Sequence, residues 1–396
     1  MVKFRVLYLC NAIDEKTKIS RHIQFNSQAA TNKVFGLAKA LQNQNIDIQV
    51  VSLGRGKQNG SKNQFPALHK IILGFPIHYA AFWHIPVVTH LVGAFSLLSL
   101  VRILSRGFQG KVIVIAYNRL WHYLPALVYS KFQRNLGFLD LEDGNIPSQH
   151  ILGITIGFVR RSVFDFLCSN GAILAAKSLM NQVKTQHTFT CYGCTELQPV
   201  NKEKWLQKPI NITFGGSLLY ETGAQLLIDT VTWLESHQPD SKQKIQFTIT
   251  GYGAMCEELR YFSESTGKGW INFLGDINHD SYASVLAKAQ IGLCLKLSTS
   301  EMGKTTFPSK ILEYASHGLA IISTRVSDVP DLLDDESAIF LEEETPQHLA
   351  SIFQKIGNGF FDLQSIGEKG QERINSVCSL DAVGNNLKKF LMKDID

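Results

Sequence analysis

The sequence has little surplus charge, few cysteines and no dinucleotide fingerprint, and each shortage excludes something. Lys plus Arg number 39 against 34 Asp plus Glu, a formal net charge of +5. So thin a surplus gives no sign of a dedicated nucleic-acid binder, although it allows a weakly basic face towards an anionic ligand or membrane. The cysteines are Cys10, Cys168, Cys191, Cys194, Cys256, Cys294 and Cys378, an odd and scattered set that points to a reducing, cytoplasmic compartment. Cys191-x-x-Cys194 has no second pair and no nearby histidine pair, so neither zinc nor another metal is expected at that pair. No G-x-G-x-x-G follows the first apolar run, Phe4–Leu9, which removes a nicotinamide-dependent enzyme. That opening run is too short for a signal peptide and reads as a strand. With 45% hydrophobic and 18% charged residues, disorder, collagen-like repeats and coiled coil are excluded too.

What is present is alternation. Strands fit Phe4–Leu9, Ile46–Val51, Val112–Ala116, Phe138–Leu141, Gly171–Ala176 and Thr188–Cys191. Val34, Leu37, Ala38 and Leu41 share one helix face. The polar stretch VNKEKWLQKP (200–209) interrupts the pattern, which restarts with INITF (210–214), IQFTIT (245–250), IGLCL (291–295) and AIIS (320–323). The reading is α/β, with two Rossmann-like, doubly wound parallel-sheet domains. Such domains bind ligand in a cleft outside the carboxyl ends of their strands. At 396 residues one core would not suffice, so we divide the chain into 1–200, 201–375 and a closing helical stretch, 376–396. That last stretch carries Leu380, Val383, Leu387, Phe390 and Leu391 on one face, which must pack on something, the N-terminal domain being the candidate.

Residues 71–104 are strongly apolar and include IPVVTHLVGAFSLLSLVRIL. His84, Pro86 and His90 interrupt the run, and Arg102 and Arg106 close it. Three readings stay open: a membrane span, a membrane-surface contact, or a helix covered by its own sheet.

The decisive segment is FPSKILEYASHGLAIISTRVSDVPD (307–331). Pro308 suits the first turn of a helix, where the missing N–H costs nothing. Free backbone N–H groups and the helix dipole there favour a phosphate. Lys310, Glu313 and His317 fall on one stripe. A cation at a helix start needs an anion nearby, and a carboxylate one turn on can accept two ribose hydroxyls. A Lys310–Glu313 surface pair worth a few tenths of a kcal/mol explains the spacing equally well.

The segment resembles the signature helix of the retaining, family-4 glycosyltransferases of the GT-B fold (glycosyl transferases group 1), whose pattern is P-x-K-x-x-E-Y-x-x-x-G-x-P-x-I, with Ala320 here in place of the usual proline. ITFGGSLLYETGAQLLID (212–229), FTITGYGAMCEEL (247–259) and INFLGDINHDSYASVLAKAQIGLCL (271–295) are similar to further blocks of that family in the same order. The resemblance implies transfer of a sugar from a nucleotide-sugar donor to a hydroxyl, with retention and without metal or cofactor. Donor would bind the C-terminal domain and acceptor the N-terminal one. By the same resemblance Glu313 holds the donor ribose, and Pro308, Ser309 and Lys310 receive the diphosphate. Gly275 and Asp276 flank the base, and Gly216, Ser217, Gly251 and Gly253 line the cleft.

The departures matter. In register, Ser217 and Thr222 stand where the family carries an Arg and a Lys that clasp the diphosphate. Charged contacts of that kind are worth roughly 1.5–3 kcal/mol each, and Lys304 and Lys310 are the candidate substitutes. The family's paired glutamate also fails, Thr305 standing at its position; Glu301, in the loop STSEMGKTTFPSK, is the replacement candidate at the sugar. On the N-terminal side His122 is read as exchanging a proton with the acceptor, and Asn118, Glu142 and Asp143 as binding its hydroxyls. Arg21 and His22 receive no role. The expected protein is a cytoplasmic enzyme of surface-polysaccharide synthesis, peripheral on the inner face of the membrane, acting on a saccharide or lipid-linked acceptor. The rival is a non-catalytic GT-B subunit that binds nucleotide or a partner protein.

Overall fold

The computed structural model describes residues 4–23, 27–57, 63–85, 88–142 and 151–393. The chain falls into two compact units, residues 1–194 with 380–396, and residues 195–379.

The strands of the first unit are β1 (Phe4–Cys10), β2 (Asp47–Ser52), β3 (Gln64–Phe65), β4 (Leu68–Ile72), β5 (Phe75–Tyr79), β6 (Phe82–Trp83), β7 (Lys111–Tyr117), β8 (Leu136–Leu141), β9 (Gly171–Leu174) and β10 (Thr188–Thr190). Its helices are α1 (Glu15–Ser20), α2 (Gln28–Asn43), α3 (Val88–Ser105), α4 (Leu124–Phe132) and α5 (Ile151–Leu167). The main sheet runs β10-β9-β8-β7-β1-β2-β5-β4, parallel except for β4 against β5. β1, β7 and β8 read as near-continuous apolar runs because both faces of the sheet are covered. One face packs on α2 and the closing helix through Val34, Leu37, Val383 and Leu387. The other packs on α3, α4 and α5 through Leu97, Leu127 and Phe164.

The apolar stretch 71–104 is not one element. Leu73 and Gly74, both at positive φ, turn β4 back into β5, and only α3 is a long helix. α3 buries Gly93, Ala94, Leu97 and Val101 against the sheet and leaves its opposite face exposed, so it is a packed helix of this unit.

The second unit contains β11 (Ile210–Ser217), α6 (Ala224–His237), β12 (Ile245–Tyr252), α7 (Cys256–Glu264), β13 (Ile271–Gly275), α8 (His279–Lys288) and β14 (Ile291–Cys294). There follow α9 (Glu301–Thr305), α10 (Lys310–Ser316), β15 (Ala320–Thr324), α11 (Val329–Leu332), β16 (Ile339–Leu341), α12 (Pro346–Gly357) and α13 (Leu363–Cys378). Its sheet is parallel throughout, in the order β13-β12-β11-β14-β15-β16. The closing helix α14 (Leu380–Met392) returns to the first unit, where Lys388 donates to the Gln44 carbonyl at 3.2 Å.

Lys204 is a buried cation in the second unit. Its ammonium donates to the His317 carbonyl at 3.1 Å and lies 5.0 Å over the Trp205 ring. Burial pushes its pKa down from 10.5 to about 8. Between those values the unfolded chain holds a proton that the folded chain has released, so unfolding free energy rises with pH across that window, by an amount on the order of 3 kcal/mol. The check is the urea midpoint from pH 7 to 11 for wild type and Lys204→Met. The difference between the two curves should climb in favour of wild type over the window; parallel curves would contradict it.

Candidate functional site

The strongest arrangement lies at the carboxyl ends of β11 and β12. Gly216 faces Gly251 in register, and both have positive φ, 110° and 138°. A Cβ on Gly251 would sit 1.9 Å from the Gly216 carbonyl oxygen, so the two strand ends meet with no room for a side chain. A Cβ on Gly216 would meet Lys310 Cε at 2.7 Å, which places the lysine stem on the strand end. Gly253 continues the same close approach, against the Leu218 carbonyl.

Lys310 Nζ donates to Glu313 Oε2 at 2.5 Å and to the Tyr282 hydroxyl oxygen at 3.1 Å. Tyr282 in turn donates to the same Oε2 at 3.2 Å. Glu313 Oε1 takes no hydrogen bond among the described residues, so one carboxylate oxygen is held and the other is presented. Burial, with Tyr314 and Glu313 beside it, holds the Tyr282 phenol well above its usual range, which keeps it a donor. Tyr314 is buried beneath, its hydroxyl accepting the Gly215 N–H at 3.0 Å. Sequence reasoning missed Tyr282: an aromatic in the first turns of α8 carries no signal until α10 packs beside it.

Other expected residues lie differently. Pro308 is not in the first turn of α10; the helix opens at Lys310, after Ser309, whose side chain makes no capping bond. Glu301 stands on α9 rather than in a loop, exposed, with its carboxylate 3.2 Å from Lys304 Nζ. Lys304 is exposed as well and engaged by that glutamate. Gly275 ends β13 and is buried, with Asp276 exposed after it. Ser217 is exposed at the end of β11, and Thr222 closes the following turn by donating to the Ser217 carbonyl at 2.7 Å. No cation occupies either position. Lys296, which sequence reasoning did not single out, is buried just after β14 and donates to Thr306 Oγ1 at 2.5 Å.

In the first unit Asn118 and Glu142 follow β7 and β8 and meet there. Asn118 has a positive φ of 58° and its side chain accepts the Glu142 N–H at 2.9 Å. Glu142 accepts from Lys33 Nζ at 2.5 Å, and the same ammonium donates to Asp140 at 2.9 Å. Asp140 also accepts from the Tyr8 hydroxyl, and Tyr8, Lys33 and Asp140 are all buried. Asp143 lies outside the described residues. Half-buried His122 has Nε2 2.8 Å from His90 Nδ1 on α3, and burial together with His90 lowers its pKa. Arg21 is structural, donating to the carbonyls of Gly54, Ala80 and Pro66. The seven cysteines form no disulfide, and among the described residues no group of three His, Cys, Asp or Glu side chains is placed to hold a metal.

Residues 209–357 match the family model described as glycosyl transferases group 1. The chain is 24% identical over 255 residues to the phosphatidylinositol N-acetylglucosaminyltransferase gpi3 subunit of Schizosaccharomyces pombe, over 64% of this chain and 52% of that one. It therefore spans about half the length of that relative. Anabaena HepE in complex with UDP superposes with a TM-score of 0.68 at 12% identity, over 98% of this chain and 100% of that one. A glycosyltransferase from Rickettsia africae gives 0.66 at 10% identity, over 100% and 99%. The fold is that of the GT-B glycosyltransferases.

Proposed function

We propose, for a chain whose residues 209–357 form a glycosyl transferases group 1 domain, a glycosyltransferase that moves a sugar from a nucleotide-sugar donor to a hydroxyl of a lipid-linked or saccharide acceptor. The bond from the sugar's anomeric carbon to phosphate breaks and one to the acceptor oxygen forms, with retention. The nucleoside diphosphate departs and the acceptor's hydroxyl proton is released. The observation that carries this reading is the half-engaged Glu313 carboxylate, fixed through Oε2 by Lys310 and Tyr282 and open through Oε1. Such a group accepts ribose hydroxyls, and the Lys310 ammonium beside it suits the diphosphate as charge develops on the leaving oxygen. Gly216, Ser217, Gly251 and Gly253 would form the floor, Gly275 and Asp276 the base edge, Glu301 the sugar side, and Lys304 a further cation for the diphosphate. His122, Asn118, Glu142 and Asp143 are the acceptor candidates, and no metal takes part. The similarity to the fission-yeast phosphatidylinositol N-acetylglucosaminyltransferase subunit and the UDP in HepE support a phospholipid-borne acceptor and a nucleotide donor. We place the reaction in surface-polysaccharide assembly at the cytoplasmic face of a membrane.

The test is a thermal-shift and donor-hydrolysis screen with UDP-, GDP-, ADP- and CDP-sugars. One nucleotide at a hundredfold excess over its Kd should stabilise wild type by about 2.7 kcal/mol and Glu313→Ala hardly at all. Silence from all four in folded protein would favour a non-catalytic GT-B subunit, the reading supported by Ser217 and Thr222 in place of cations.

A further inference from the structure

From Ile48 to Leu139, between Asp47 and Asp140, the chain has no acidic residue at all, while it carries ten Lys and Arg. α3 and α4 lie within that stretch, and α5 adds Arg160 and Arg161 against a single acid, Asp165. The Asp165 carboxylate is buried between Arg119 at 3.3 Å and Arg161 at 3.7 Å, so it offers no negative charge outward. A net charge of +5 for the whole protein hides this concentration.

The same three helices lie side by side on one face of the sheet, sharing one core. Contacts between their outer parts join them into one surface. The Arg102 guanidinium lies 5.8 Å over the Tyr129 ring, and Lys131 Nζ lies 5.2 Å over Phe166. Large apolar side chains stand out from that surface: Phe95 is 60% exposed, Phe132 81% and Phe158 69%, with Leu91, Ile103 and Phe166 also exposed. Scattered apolar residues need no explanation, but a contiguous set on adjacent helices does. α3 alone has a mean hydropathy of 1.6 over its 18 residues. On α3, α4 and the turns that follow them the charged side chains are all cations, with Arg102, Arg106 and Arg134 exposed. A second copy docked on this patch through a twofold contact would bring the same charges face to face, and like charges oppose that.

We infer that the outer faces of α3, α4 and α5 dock on an anionic lipid bilayer. The aromatic side chains enter the headgroup and acyl boundary while the arginines meet anionic headgroups. The helices stay packed on their sheet throughout. This surface belongs to the first unit alone, so loss of nucleotide binding in the second leaves it intact and the two failures are distinguishable.

Flotation of the full chain with phosphatidylcholine vesicles, with and without phosphatidylglycerol, tests it. Binding should require phosphatidylglycerol and fall as salt is raised. Removing one arginine charge should weaken partitioning about fivefold, so Arg102→Gln/Arg106→Gln/Arg134→Gln should lose roughly a hundredfold. Phe132→Ser/Phe158→Ser should abolish binding with circular dichroism unchanged; if that variant fails to fold, the triple Gln variant decides. Indifference to phosphatidylglycerol, or no binding at all, overturns the inference. So does a dimer that Phe132→Ser dissociates while wild type ignores vesicles, since the patch then faces a second copy.

Discussion

Lys33→Met should destabilise the first unit by about 3–5 kcal/mol, because it leaves the Asp140 carboxylate buried and uncompensated. Lys33 is the cation for two carboxylates, Asp140 at 2.9 Å and Glu142 at 2.5 Å, and Asp140 is wholly inaccessible. Burial by itself would lower the lysine's pKa; the Asp140 and Glu142 charges outweigh it and hold it well above the usual value. The ammonium therefore stays charged throughout the folded range. Tyr8 supplies a further hydrogen bond to Asp140, but a neutral donor does not replace a charge. Amide hydrogen exchange of β1 and β8 in urea reads this unit specifically, where a single global transition would average two units. Lys33→Met/Asp140→Leu should recover most of the loss, since removing both partners of a buried pair is often neutral or stabilising. A single-variant loss below about 1 kcal/mol would show that water reaches the pair.

That pair marks the limit of what the sequence discloses. The parallel strands were legible because a strand buried on both faces must be apolar throughout, as VIVIA (112–116) and GAIL (171–174) are. Lys310 and Glu313 were legible because three residues on a helix are neighbours whatever the rest of the fold does. Lys33 and Asp140 are separated by 107 residues, and no local periodicity links them. Tyr282 and Glu313 have the same difficulty: they lie 31 residues apart on separate helices, α8 and α10, so their contact is a fact of packing. The turn at Leu73-Gly74 was hidden for another reason. A leucine at positive φ is an uncommon choice, so IILGFPIHY reads as one apolar run and its antiparallel hairpin disappears. Ser217 and Thr222 show the reverse case, where the letters announced a missing function and the structure shows Thr222 serving the turn instead.

Gly251→Ala should cost about 2–6 kcal/mol and abolish any nucleotide-induced stabilisation, although residue 251 has no side chain to contribute to a site. Two costs combine. A φ of 138° is strained for any residue with a Cβ, at about 1–3 kcal/mol. The new methyl would also lie 1.9 Å from the Gly216 oxygen, 2.9 Å from its carbonyl carbon and 3.0 Å from its nitrogen. All three are backbone atoms of a central strand, so relief requires β11 and β12 to part at their carboxyl ends, and overpacking of that sort costs a further ~1–3 kcal/mol. Parting them moves Gly216 from under the Lys310 stem, and Lys310 fixes Glu313. Gly216→Ala separates the two effects: beyond the strain of its own φ of 110°, its methyl crowds only the Lys310 side chain, at Cε, which is flexible, so the sheet should survive while the Lys310–Glu313–Tyr282 arrangement is displaced. Gly359→Ala is the control for conformation alone, with a φ of 75° and nothing within 4 Å of the added methyl, and should cost about 1 kcal/mol. Thermal melts with and without nucleotide should rank the three in that order, Gly251 most damaging. Gly251→Ala melting like Gly359→Ala would mean that β11 and β12 do not make this approach in solution, and that the Lys310–Glu313–Tyr282 arrangement rests on some other support.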